Sequence, residues 1–143
     1  MIEVSEIRKR LRNALDRAKR AHAERRARAD AAAKAYEAFL SDIATPVFRM
    51  FAAALKAEGY PFNVFTPAGG LRLMSERSGD DFVELFLDTT ADPPIVSARI
   101  NRGRGRRLMT AERTVRDGAP VDRLTDEDVT EFLLQEIVPF LSR

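Results

Sequence analysis

The side chains able to do chemistry are few. The single histidine, His22, sits inside a run of charged residues. A general base needs an orienting partner and a concave site. A histidine on a charged helix has neither, so His22 reads as solvent-exposed or interfacial. Carboxylates cluster at Asp80, Asp81, Glu84 and Asp88, and again at Asp122, Asp126, Glu127 and Asp128. Several oxygens together suit a hard cation, but no D-x-D-x-D-G run occurs. A hairpin turn followed by polar strand positions accounts for the first cluster. Complementation of a helix dipole accounts for Asp126, Glu127 and Asp128.

Arginine gives the most pointed local signal. The run Asn101-Arg102-Gly103-Arg104-Gly105-Arg106-Arg107 alternates arginine with glycine. Glycine lets backbone approach an anion, and arginine forks clamp phosphate. No G-x-x-x-x-G-K-[S/T] loop accompanies it, and the competing reading is a hairpin loop of solvated arginines that pair with neighbouring acids. A second basic stripe runs through Arg8, Arg10 and Arg12, then Arg17, Arg20, Arg25, Arg26 and Arg28. A basic helix can lie in a DNA groove, yet Glu3, Glu6, Asp16, Glu24 and Asp30 interrupt this one. Nucleic acid is therefore the alternative partner rather than the leading one.

Composition narrows the classes. The chain has 143 residues, 45% hydrophobic and 32% charged, which points to one folded domain rather than disorder. Cysteine is absent, which removes disulfides, cysteine nucleophiles and iron–sulfur clusters. One histidine removes multi-histidine metal sites. No G-x-S-x-G, H-E-x-x-H or G-x-G-x-x-G pattern is present. The expectation is a protein that is not an enzyme and needs no cofactor or metal. The first residues read as neither a signal peptide nor a bilayer-length apolar run, so a cytoplasmic protein without a membrane is expected.

The net charge of +2 hides an uneven division. Residues 1–40 carry eleven Lys or Arg against six Asp or Glu, a balance of +5, and the remainder carries −3. Twenty arginines accompany four lysines. Arginine excess suits bidentate recognition, but it also follows from a GC-rich genome. Alternating signs along the chain fit partner contacts better than a uniformly basic glove for nucleic acid.

Those residues need elements to hold them. Residues 3–43 read as one helix, without Gly or Pro and rich in alanine. A seven-residue repeat places Val4, Ile7, Leu11, Ala14, Ala18, Ala21, Arg25, Arg28, Ala32, Ala35 and Phe39 on one seam. At 1.5 Å per residue the helix is about 60 Å long, too long for a small domain to bury. Antiparallel pairing of two such helices would set alanine against alanine and let the central arginines meet acids. Thr45-Pro46 reads as an N-cap and first helical position, with the Asp42–Pro46 region either a kink or a true turn. A second helix then covers 46–58, with Gly59 after its end.

Beyond Gly59 the period changes to two. Strands are read at 61–66, 71–77, 82–88, 95–101 and 107–116, with 102–106 as a loop. Residues 82–88 are apolar on both faces, as a central strand requires. A helix at 126–141 follows, with Thr125 and Asp128 in a capping-box spacing. Val129, Phe132, Leu133, Ile137 and Phe140 form its apolar face, and Pro139 ends or bends it. The fold class is α+β: a long N-terminal helix, a second helix, an antiparallel meander of four or five strands, and a C-terminal helix on the sheet. The organisation is a helical extension over 1–43 and a small α+β domain over 44–143.

The leading function is a protein–protein interaction module that self-associates as a homodimer, with Ile7, Leu11, Ala14, Ala18 and Ala21 as the contact. An unidentified protein partner is expected on the sheet domain. The alternative is a nucleic-acid or polyanion binder using Arg102, Arg104, Arg106 and Arg107, with Arg8, Arg10 and Arg12.

Overall fold

A computed structural model describes residues 1–141. Helix α1 (Val4–Phe39) runs into a π-helical turn (Leu40–Ala44) and then α2 (Thr45–Ala57). Five strands follow: β1 (Phe62–Phe65), β2 (Leu71–Ser75), β3 (Phe82–Asp88), β4 (Ile95–Arg104) and β5 (Arg107–Thr114). A short 3₁₀ turn (Val121–Arg123) leads to α3 (Asp126–Leu141). Strand order is β1-β2-β3-β4-β5 with every neighbour antiparallel, the meander expected from the short turns. The architecture is the α+β class read from the sequence.

The first helix does not stop at Thr45. Thr45 is helical (φ −62°, ψ −47°), and its N–H reaches back five residues to the Leu40 carbonyl. A proline inside a helix removes one hydrogen bond and crowds the carbonyl four residues earlier. A single π-turn ahead of Pro46 widens the helix there and lets it continue. One helix therefore spans Val4–Ala57, and by length and composition alone it includes a window apolar enough to cross a membrane. Only 28% of that window is buried. The residues of this helix that enter the core are Ala32, Tyr36, Phe39, Ala44, Val47, Phe48 and Leu55.

Alternation explains the sheet. On the helix-facing side Leu71, Leu85 and Ala98 line up across β2–β4, as do Leu73, Val83 and Ile100. All six are 4% exposed or less. Above them pack Tyr36 and Phe39 of α1, Val47, Phe48 and Leu55 of α2, and Val129, Phe132, Leu133 and Ile137 of α3. Burying each such side chain is worth about 1.5–3 kcal/mol. The capping box at α3 forms as spaced: the Asp128 N–H donates to the Thr125 hydroxyl (3.2 Å), and the Thr125 N–H donates to the Asp128 carboxylate (2.9 Å). Helix assignment continues through Pro139 to Leu141. The Phe140 side chain lies outside the described structure.

Candidate interaction site

Residues 1–28 are exposed throughout. Val4, Ile7, Leu11 and Leu15 are 73%, 52%, 56% and 51% exposed. Ile7, Leu11, Ala14, Ala18 and Ala21 therefore share a helix face that no other described residue covers. Leu15 extends that face and was not on the strict heptad seam. It stands four residues after Leu11, so a helical period of 3.6 rather than 3.5 would have found it.

The same seam, followed toward the C-terminus, enters the body. Arg28 donates from Nε and Nη2 to the two carboxylate oxygens of Asp92, at 2.9 and 2.8 Å. Arg25 Nε lies 3.5 Å from the same carboxylate. The pairing holds Asp92 below the ordinary carboxylate range, chiefly through the Arg28 hydrogen bond, and raises Arg28 in turn. The polar interruption of the heptad thus meets an acid within its own chain. One turn further on, Ala32, Tyr36 and Phe39 are buried. The Tyr36 phenol donates to the Gly69 carbonyl at 3.1 Å. Gly69 occupies a left-handed conformation (φ 72°) that places this carbonyl at the tip of the β1–β2 turn. Burial, with a smaller push from the Glu84 carboxylate, raises the phenol to about 12.

Beside this entry point lies a cleft of about 290 Å³. Its walls are Arg28, Ala31, Ala32 and Ala35 of α1, Pro93 and Pro94 after β3, and Pro120, Val121 and Asp122 before α3. Three of its four α1 residues are seam positions, so the exposed stripe runs directly into it.

The arginine run is a tighter object than a loop. β4 and β5 extend through it and pair Arg104 with Arg107. Gly105 takes the first central position of the two-residue turn at φ 59°, as a II′ turn requires. Arg104, Arg106 and Arg107 are exposed, while Arg102 is half-buried. The hairpin is anchored at its base: the Gly103 N–H donates to Asp81 (2.9 Å), and the Asn101 amide donates to the Asp80 carbonyl (2.7 Å). This is the end of the sheet where β3 begins. Asp92 and Gly69, which hold α1, lie at the other end. The structure therefore does not join Arg102–Arg107 to Arg8, Arg10 and Arg12 in one patch. Arg10 instead pairs with Glu6 on its own helix, 3.3 Å away.

The face of the sheet away from the helices carries a feature that alternation alone did not reveal. Arg72, Glu84, Arg99 and Glu112 stand in one row across β2–β5. Glu84 is central, 3.1 Å from Arg72 and 3.5 Å from Arg99. Each guanidinium lies over an aromatic ring, Arg72 over Phe82 at 4.2 Å and Arg99 over Phe86 at 5.0 Å. The sequence marks Glu84 as a polar strand position but not its place between Arg72 and Arg99. The sign alternation could have found it, had the register been known.

The other groups have plain surroundings. His22 has Arg26 at 3.5 Å, and among the described residues no carboxylate orients it. Asp80 and Asp81 sit at the hairpin base. Asp88 accepts from the Thr90 hydroxyl and N–H, which lower it. Among the described residues no three His, Cys, Asp or Glu gather as a metal site would require. In comparison with known proteins, the chain matches no family model, no curated protein and no solved structure.

Proposed function

We propose that the chain is a non-enzymatic interaction module that self-associates through its N-terminal helix. One observation carries the reading: the helix face that packs on the body at Ala32, Tyr36 and Phe39 continues outward through Ala18, Leu15, Leu11, Ile7 and Val4, where no other described residue covers it. From Val4 to Arg28 the helix is about 36 Å long. An isolated helix gains little of its stability from propensity, and tertiary packing of an apolar face normally supplies the rest. A second copy offers the same face at equal concentration.

Area arithmetic sets the strength. Val4, Ile7, Leu11 and Leu15 from two copies give eight half-exposed side chains, each gaining on the order of 1 kcal/mol when covered. Association itself costs about 4–15 kcal/mol. Against the smallest of those costs these eight side chains leave about −4 kcal/mol, a millimolar dimer; covering the Ala14, Ala18 and Ala21 methyls of both copies, at about 0.8 kcal/mol each, brings it to about the micromolar range. The test is light scattering at tens of micromolar, expecting twice the 16.1 kDa chain mass. Leu11→Glu with Ala18→Glu should return the mass to one chain. A wild-type protein that scatters as a monomer sinks the reading.

A second reading has its own observation. Among the described residues Arg104, Arg106 and Arg107 make no ion pair, and all three are exposed on one paired hairpin. Such a tip suits a phosphate-rich polyanion. It predicts binding to single- or double-stranded nucleic acid that Arg104→Ala with Arg107→Ala abolishes.

A further inference from the structure

We infer that the two copies pair antiparallel, and that the cleft beside Arg28 receives Met1–Glu3 of the other copy. This rests on the self-association reading and specifies how the surface is used.

Direction follows from where the body sits. The sheet domain packs on the same side of α1 as the exposed seam, through Ala32, Tyr36 and the Arg28–Asp92 pair. Two helices joined in parallel along that side would force both bodies into the space between them. Antiparallel joining sends the bodies to opposite ends.

Register follows from size, charge and length. With seam positions facing each other as antiparallel heptads require, one register sets Ile7 against Arg25, Leu11 against Ala21 and Ala14 against Ala18. Leu15 then flanks Leu15 of the other copy at the two-fold axis, and Arg10 faces Glu24. Sliding by one heptad sets Leu11 against Ala14, but it opposes Arg10 to Arg17 and Glu3 to Glu24. The first register avoids both, leaving one Arg17–Arg17 contact near the two-fold axis, and sliding the opposite way sets Ile7 against Ala32, which the body of the same chain already buries. The first register also places Val4 beside Arg28. The three residues before Val4 are not helical, and three extended residues reach about 10 Å. The stretch of α1 from Arg28 to Ala35 rises about 10 Å as well. That stretch is one wall of the cleft. Met1 and Ile2, 122% and 52% exposed, supply apolar side chains for a cleft walled by alanine and proline. Its volume, about 290 Å³, lies at the small end for ligand pockets and suits the side chains of Met1 and Ile2.

The absence of native cysteine makes the test direct. Single-cysteine variants at exposed positions are mixed in pairs, oxidised, and read as covalent dimer on a denaturing gel. Disulfides need Cα atoms within about 7 Å. Leu11→Cys mixed with Ala21→Cys should cross-link, and so should Ile2→Cys mixed with Asp122→Cys. Leu11→Cys alone should not. Cross-linking of Leu11→Cys with itself shows parallel pairing and overturns the inference while self-association stands. Cross-linking of Leu11→Cys with Ala14→Cys, without the Ile2–Asp122 bridge, shows the shifted register and an empty cleft, and overturns it too. A monomeric mass for every variant and for the wild type overturns the inference and the self-association reading together.

Discussion

Arg28 and Asp92 are 64 positions apart in sequence and meet through two parallel hydrogen bonds of 2.9 and 2.8 Å. The fork fixes the angle at which α1 leaves the sheet. It also marks a boundary, because every residue before Ala29 is exposed. An exposed ion pair contributes little to global stability, but a bidentate one adds geometry. Its role is therefore local: it sets where the free seam points.

Asp92→Ala should leave the sheet folded and loosen the helix near the clamp. Amide exchange should rise around residues 21–31 and stay unchanged in β2–β4. The pH sign follows from the lowered Asp92. The clamp is fully present above the ordinary carboxylate value and is lost as pH falls through the depressed folded value. Wild-type exchange should therefore approach that of the variant only in strong acid. Equal exchange in the two proteins near neutral pH would show that the pair fixes nothing.

Glu84 is the most constrained charge on the open sheet face, its side chain 12% exposed between Arg72 and Arg99. Removing it leaves two arginines facing each other across one strand. Glu84→Ala should cost roughly 1–3 kcal/mol in chemical denaturation, as expected when a nearly buried hydrogen-bonded charge is deleted. Arg99→Ala removes a more exposed partner that also reaches Glu112 at 3.7 Å, and should cost less. A Glu84→Ala variant as stable as wild type would mean that the row is solvated decoration.

Strand order, the central place of β3 and the α3 capping box were legible because each rests on local rules. Alternation, turn residues and a Thr-to-Asp spacing of three need no tertiary information. Pro46 at the start of the second helix was legible, but whether a kink or a true turn precedes it was not, because a π-turn that rescues a proline leaves no mark in composition. The arginine run was read as a loop because Arg104 and Arg107 have no pattern of their own, and Gly105 alone decides the turn. Arg25 and Arg28 looked like defects in a heptad. Their partner, Asp92, lies in a loop whose position only the folded sheet fixes. Glu84 was legible as a polar strand position, but its pairing was not, because its partners come from two other strands.

Tyr36 gives a test on the alkaline side. Its phenol is raised from 10.0 to about 12 by burial and, secondarily, by Glu84. The folded state then holds a proton that the unfolded state has lost between those values. Stability from this group is complete below pH 10 and falls as pH rises toward 12. In a Tyr60→Phe background, where Tyr36 is the remaining tyrosine, phenolate absorbance should appear late and together with unfolding. Tyr36→Phe should abolish this loss of stability. It should also cost about 1 kcal/mol at neutral pH for the lost hydrogen bond to Gly69. Titration of Tyr36 at an ordinary value with the fold intact would contradict its burial.

Salt separates the two functional readings, because they carry opposite signs. Each N-terminal region, residues 1–40, has a balance of +5, so two copies brought together repel over the length of the helix. The Debye length falls from about 10 Å at 0.1 M to 3 Å at 1 M, so added salt screens the repulsion. The apolar contacts of Ile7, Leu11 and Leu15 are left in place. Two Arg10–Glu24 contacts soften this trend without reversing it, being exposed and local. Sedimentation across that range should show the dimer tightening several-fold. Phosphate contacts by Arg104, Arg106 and Arg107 require the reverse. Three of them give a slope near −2.7 in log affinity against log salt, so a fourfold rise in salt weakens binding about 40-fold. Self-association that weakens steeply with salt would mean that charge pairing, not the apolar seam, joins the copies. Nucleic-acid binding that weakens as calculated would instead place the function at the arginine hairpin.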